Sequence, residues 1–364
     1  MWFITYLYLI AFSFLLSLLC VKGSIGLALK THLFDDLSPR KLQKKPVPLL
    51  GGLGIMGAFF GTVFFNVILL SFFKNSPVFQ AWIPQDVVRY IPGALSTVHK
   101  LFFILLGSLI VFFVGLIDDI VELGAWPKLI VQIIAALFLF FSGIRITLFT
   151  HVPGMSLFLT VLWVVAITNA FNLLDNMDGL SAGIAVISGL FLLVISMAEG
   201  QYFVSLFLCV FIGSVLGFLI FNFHPARVFM GDAGSYLLGF LMASMTILGT
   251  YYRRGGSTSF SILMPVLVLG VPLYDLLSVI LIRLHQKRPI FKGDKTHFSH
   301  RLVHLGMSQR GAVLFLYLVS FAFGTSSLLL GMIEPWGFLF IFLQASAFVM
   351  IIAMLEYFGR IHST

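Results

Sequence analysis

Asn169, Asn172, Asp175 and Asp178 recur at intervals of three in the stretch NAFNLLDNMD, directly after the apolar run SLFLTVLWVVAIT. Carboxylate and amide oxygens are hard ligands of the kind that Mg²⁺ or Mn²⁺ accepts. Steps of three on a continuous helix drift by about 60° each, which would leave Asn169 and Asp178 on opposite faces. The spacing therefore predicts a helix that ends near Asn172–Asp175, followed by a tight turn through Asn176 to Gly179 that returns Asp178 to its neighbours. The bland alternative, four polar residues capping a loop, is weakened because the stretch continues an apolar run without interruption.

Three other clusters carry similar chemistry. In GLIDDIVELGAWPKLIVQ, Asp118 and Asp119 close one apolar run, and Lys128 and Gln132 open the next, one turn apart on one face. A lone acidic pair is as readily a solvated helix end, but with a lysine returning to the same side it suits a divalent cation and a phosphate equally. In FNFHPARVFMGDAGS, Asp232 lies among glycines that permit close backbone approach, at the start of a helix whose positive end favours an anion. Phe229 in the same loop can stack on a base or anchor at a membrane interface. In YDLLSVILIRLHQKRPIFKGDKTHFSHRLVHLG, Asp275 and Arg283 precede His297, His300 and His304, which share one face if the segment is helical. No Cys or Glu completes a zinc set, so the histidines are read with Arg288, Lys295 and Arg301 as a pyrophosphate-binding face.

Such clusters need elements that hold them at one surface. Of 364 residues, 60% are hydrophobic and only 10% charged, which excludes a soluble globular domain and predicts an all-α, polytopic membrane protein. Apolar stretches of spanning length fall near 2–21, 47–73, 101–117, 128–148, 155–174, 179–198, 202–223, 234–252, 259–283, 311–332 and 336–355, about eleven helices. The first is followed by no small-residue cleavage site and is expected to remain as a helix. Cys20 and Cys209, both inside apolar runs, form neither a disulfide framework nor a paired metal-ligand spacing. Without internal repeats or low-complexity linkers, residues 1–364 read as a single integral membrane domain.

The formal net charge of +8 comes from Lys and Arg between spans, where orientation and anionic headgroups or phosphates explain them better than nucleic acid does. With the N-terminus outside and the C-terminus cytoplasmic, the inner loops collect the basic residues of 22–45, Lys128, Arg227 and the basic run from Arg283 to Arg310. The same assignment puts Asp35, Asp36, Asp118, Asp119, Asp175, Asp178, Asp232, Asp275 and Asp294 at the cytoplasmic side and leaves Asp86 outside. Acids do not follow the positive-inside rule, so their segregation points to a cytoplasm-facing site built from several carboxylates.

Taken in order, GGLGIMG, GLIDDIVEL, NAFNLLDNMDGLSAG, GFLIFNFHPARVFMGDAGSYLLG and DKTHFSHRLVHLGMS resemble the motifs of the polyprenyl-phosphate N-acetylhexosamine-1-phosphate transferases, over about residues 35–308. The resemblance implies transfer of a sugar-1-phosphate from a UDP-sugar to undecaprenyl phosphate with release of UMP, Mg²⁺ or Mn²⁺ as cofactor, and a bacterial plasma membrane as location. It implies that Asp118 and Asp119 are the essential acidic pair and that Asp232 is a metal ligand, with Asp175 beside it. It also implies that Asn172 and Asp178 line the nucleotide site, that Phe229 stacks on uracil, and that His297 and His300 bind the diphosphate. A homodimer is compatible with it, although no interface is legible. Two departures stand out: the family's Arg-Lys-x-His is here Arg40-Lys41-Leu42-Gln43, and its His-x-His-His is His297-Phe298-Ser299-His300. The HFSHRL segment is closer to the N-acetylglucosamine branch than to the muramoyl-pentapeptide branch, which is kept as the alternative.

Attack of a lipid phosphate on the β-phosphorus exchanges one phosphoanhydride for another, so the barrier is mainly charge repulsion. Lys44, Lys45, Lys128 and Arg283 are the candidate cations that screen it, and Asp118 or Asp119 acts as base or as nucleophile. An intramembrane aspartyl protease would need its Tyr-Asp span before its Gly-Asp span, the reverse of the order Asp232, Tyr274-Asp275 found here. An ion-coupled transporter would place its acids at mid-span between repeated halves.

Overall fold

In a hydrocarbon setting an apolar run satisfies its backbone hydrogen bonds only by coiling on itself. The computed structural model describes residues 2–35, 46–73, 75–76, 90, 93, 97–147, 152, 154–251, 259–289, 297–330, 339, 341–347 and 350. Among these the regular structure is helical, apart from one β-bridge between Phe34 and Pro48.

The helices are α1 (Trp2–Thr31), α2 (Gly51–Phe73), α3 (Val98–Val121), α4 (Ala125–Phe141), α5 (Met155–Leu174), α6 (Leu180–Ala198), α7 (Tyr202–Asn222) and α8 (Gly231–Leu248). A 3₁₀ turn (Ser259–Leu263) leads into α9 (Met264–Val268), α10 (Gly270–His285), the short α11 (Phe298–His304) and α12 (Gln309–Leu330). Eight helices are long and apolar enough to cross a membrane among the described residues, or nine if a bent pair counts as one span. Leu19, Phe72, Phe141 and Leu318 remain exposed on the outside of the bundle, as a lipid-facing surface requires.

Two expected spans differ. The run expected near 128–148 forms α4, whose 17 residues stand at the short end of the roughly 17–25 that cross a bilayer. The run at 259–283 is broken, its two parts meeting at 69°. Pro265 and Pro272 lie in the first turns of α9 and α10, where a missing amide hydrogen is tolerated and a through-going helix is not. The run at 336–355 falls largely outside the described residues.

The bundle is organised around α8, since 83% of its apolar window is buried, against 28% for α1. Helices α2, α3 and α5 pack on α8, and α1 packs on α7 and α2. Glycines set the spacing. A Cβ at Gly115 of α3 would lie 2.5 Å from the Ala233 nitrogen of α8, one at Gly52 of α2 would lie 2.5 Å from the Gly234 nitrogen, and one at Gly239 would lie 2.6 Å from the Thr168 Cα of α5. Small residues at such crossings let backbones approach, which matters where helices lack a hydrophobic drive to associate. Replacing Gly115 by Val should therefore destabilise the bundle by about 1–3 kcal/mol through overpacking. Gly57→Ala, whose Cβ would sit 3.4 Å from the Cys20 sulfur, serves as the control. Thermal unfolding in detergent checks this, and equal melting temperatures for the two variants would contradict the packing account.

Candidate active site

Asp119, near the end of α3, accepts the backbone N–H groups of Asp232 at 2.7 Å and Ala233 at 3.1 Å. Two of the orphan donors at the N-terminus of α8 are thus satisfied by a carboxylate from another helix. Gly231, with φ +70°, makes room, because a Cβ there would collide with that carboxylate. Asp118 is buried; it accepts the Leu123 N–H at 2.6 Å and pairs with Lys128. The Lys128 ammonium also stands 3.6 Å from Asp232 Oδ2. On the other side, Asn172 Nδ2 donates to Asp232 Oδ1 at 2.9 Å and to Ser235 Oγ at 3.0 Å. One turn earlier, Asn169 donates to the buried Gln132 at 2.6 Å and so ties α5 to α4.

Residues 169–178 are not one helix. α5 ends at Leu174, Asp175 caps it, and α6 begins at Leu180 after Gly179, whose φ is +75°. The turn is held from both sides: the Gly179 N–H donates to Asn222 Oδ1 at 3.0 Å, and its carbonyl accepts the Tyr317 hydroxyl at 2.5 Å. Asp178 points into the protein, with Oδ2 bonded to His224 Nδ1 at 2.7 Å and to the Ala226 N–H at 3.1 Å. Its other oxygen, Oδ1, is buried with no donor among the described residues.

The histidine segment departs from expectation. α11 begins at Phe298, so His297 occupies the cap position and the three histidines do not form one helical stripe. Asp275, in the middle of α10, accepts the Phe298 N–H at 2.6 Å and lies 3.1 Å from His297 Nδ1. Ser299, which stands where the resemblance led to a histidine, donates to Asn176 Oδ1 at 2.6 Å and ties α11 to the α5–α6 turn.

These elements enclose a cavity of about 640 Å³. Its wall brings together Asp118, Asp119, Lys128, Asp175, Asp178, Phe229, Asp232 and His300. Asn172 stands behind Asp232, to which it is bonded. His297 and Arg283 are not on the wall; both are buried, Arg283 in the last turn of α10, which the bend after α9 directs away from the span preceding it. Lys45 lies outside the described residues. Asp35, expected among the clustered carboxylates, is on the wall, whereas sequence reasoning missed Glu122, Asn176, Asn222 and Gln309 there. Asn222 had a usable signal, a lone amide at the end of an apolar run, whereas Gln309 had none. A second cavity, about 880 Å³, sits among the first turns of α1, α3 and α7 and the far end of α2, and is lined mainly by apolar side chains.

A profile of glycosyl transferase family 4 matches residues 101–250. Over 335 residues the chain is 34% identical to the probable undecaprenyl-phosphate N-acetylglucosaminyl 1-phosphate transferase of Bacillus subtilis, covering 90% of this chain and 85% of that protein. The chain belongs to this family. A decaprenyl-phosphate N-acetylglucosaminephosphotransferase of Mycobacterium tuberculosis is 32% identical over 305 residues, 77% of this chain and 71% of that protein. A phospho-N-acetylmuramoyl-pentapeptide-transferase of a Geobacillus species is 34% identical over 247 residues, 61% of this chain and 71% of that protein. The family match runs from α3 through α8 and so contains the wall residues from Asp118 to Asp232, while Asp275, His297 and His300 follow it.

The described residues include no group of three His, Cys, Asp or Glu placed to cage a metal. Mg²⁺ rarely needs one, since one or two carboxylates plus substrate phosphates usually suffice. Asp118 and Asp232 fit that demand, because a single cation, the Lys128 ammonium, already lies against both. Lys128→Met should leave the two carboxylates facing each other and destabilise the protein by about 1–3 kcal/mol, less than for a fully buried pair because Lys128 is partly exposed. Added Mn²⁺ should restore more of the melting temperature in this variant than in the parent. Equal Mn²⁺ shifts in the two proteins would argue against a cation site between Asp118 and Asp232.

Proposed function

We propose that the protein transfers N-acetylglucosamine-1-phosphate from UDP-N-acetylglucosamine to undecaprenyl phosphate, releasing UMP, as a multi-pass enzyme of the bacterial plasma membrane. The observation that carries this reading is the convergence of Asp118, Lys128 and Asp232 from three helices on one polar cavity at one end of an apolar bundle. The activities that the Bacillus and Mycobacterium relatives are named for agree with it. The distribution of basic residues supports a cytoplasmic cavity and an outside N-terminus. A count of about eleven spans belongs to the same proposal, as does a homodimer, the latter on resemblance alone.

In this reading an oxygen of the lipid phosphate bonds to the β-phosphorus of the donor while the bond from that phosphorus to the bridging oxygen breaks, and UMP leaves. Asp118 and Asp232, with Asp175 at the same wall, would hold Mg²⁺ or Mn²⁺. The ion's chemistry is charge neutralisation on the pyrophosphate. Lys128 offsets the repulsion between the two anionic substrates. Asp118, held by the Leu123 N–H and Lys128, or Asp119, held by the backbone of α8, takes the proton from the lipid phosphate. Phe229 offers a ring face to the uracil, and Asp178 Oδ1 offers an acceptor to a base N–H. His300, on the wall of the same cavity, offers its imidazole to the diphosphate.

Membranes containing the protein, supplied with Mg²⁺, undecaprenyl phosphate and radiolabelled UDP-N-acetylglucosamine, should form labelled lipid, and Asp232→Asn should abolish it. Asp118→Asn should lower turnover by about 10²–10⁴-fold while UDP-sugar binding persists. Labelled lipid only from the UDP-muramoyl-pentapeptide donor would move the protein to the other branch. No labelled lipid from any common UDP-N-acetylhexosamine would sink the reading.

A further inference from the structure

Asp275 and His297 form a buried pair that the transfer reaction as described does not use. Asp275 is 1% exposed and His297 6% exposed. The carboxylate does two things at once: Oδ1 accepts the Phe298 N–H at 2.6 Å, and Oδ2 lies 3.1 Å from His297 Nδ1. An ionised carboxylate only accepts, so the proton of that second contact belongs to His297 Nδ1, and Nε2 is left as the ring's available nitrogen.

A plain helix cap does not account for this arrangement. α11 has seven residues, and one backbone donor could be capped by a serine or aspartate at position 297 itself. Instead an acid within an apolar helix is buried, which is costly, and the second oxygen is spent on an imidazole. Two further bonds fix the same segment: Ser299 to Asn176, and Arg301 to Ser278 Oγ at 2.8 Å. The His297 ring lies 6.3 Å from that of His300, which is on the cavity wall. Pairs in which a carboxylate orients a functional histidine recur because the partner sets both tautomer and ring direction.

We propose that Asp275 is a positioning residue for the transfer reaction: its carboxylate holds His297 in the Nδ1-protonated tautomer and seats the segment that carries His300 into the cavity. This rests on the transfer activity proposed above. Asp275→Asn separates the two tasks, since the amide oxygen can still accept the Phe298 N–H while the amide nitrogen, a donor, forces the imidazole proton to Nε2.

The test is a double-mutant cycle in the labelled-lipid assay. Asp275→Asn should lower kcat/KM by about 10–100-fold with the protein still folded. In a His297→Gln background it should add no more than about 2-fold, because the residue it acts through is gone. Unchanged activity, or the same loss in both backgrounds, would overturn the proposal and leave Asp275 a helix cap. If Asp275→Asn does not accumulate in membranes, Asp275→Glu, which keeps both acceptors but displaces them, replaces it in the cycle with the same two outcomes. Histidine-selective ¹⁵N NMR reads the tautomer independently of turnover. The resonance lost in His297→Gln should report a protonated Nδ1 in the parent and Nε2 in Asp275→Asn, and a parent already protonated at Nε2 overturns the proposal. Parent membranes that form no labelled lipid fail the transfer reading, whereas active parent membranes with an unaffected Asp275→Asn fail this inference alone.

Discussion

The first turn of α8 presents backbone N–H groups inside a bundle that offers them little water, and Asp119 supplies acceptors for two of them. The acidic end of the cavity depends on that contact. It joins the end of α3 to the start of α8 and so fixes Asp118 relative to Asp232. It requires glycine at 231, where any side chain would strike the carboxylate, and close approach at Gly115, where one would strike the backbone of α8. A carboxylate at the positive end of a helix is favoured electrostatically as well as by hydrogen bonding, so one member of the acidic pair is committed to structure.

Around that joint, charge is balanced locally. Lys128 returns on α4 to stand between Asp118 and Asp232, and Asn172 approaches Asp232 from α5 with a neutral donor. A second layer of polar pairs, Gln132 with Asn169 and Asn222 with Gly179, carries these positions into the helices behind. Paired in this way, most of these buried polar groups avoid the cost of lost hydration, Gln132 Nε2 and Asp178 Oδ1 being exceptions among the described residues.

Much of the site was legible because helical periodicity is a local property. The interval of three in NAFNLLDNMD cannot face one way on a continuous helix, and the chain does break there, with Gly179 in the left-handed region that the turn needs. The gathering of acids at one end of the spans was visible for the same reason, since apolar length sets where each span stops. Residues whose roles depend on distant partners were not legible. Asp178 turns toward His224, Ser299 reaches Asn176, and Gln309 joins the wall, each across a separation in sequence that no spacing rule covers. Arg283 and His297 were expected on the wall and are buried instead, because the break after α9 and the late start of α11 redirect both segments.

By itself the sequence determined that the chain is a set of apolar helices with carboxylates at their ends, since length, hydropathy and the angular step of a helix are properties of each segment alone. Only the tertiary structure decided which carboxylate does what. Asp118 and Asp119 are adjacent and chemically identical, yet one faces Lys128 and the other the backbone of α8. That division follows from the approach of two helices through glycine contacts, which no single segment contains.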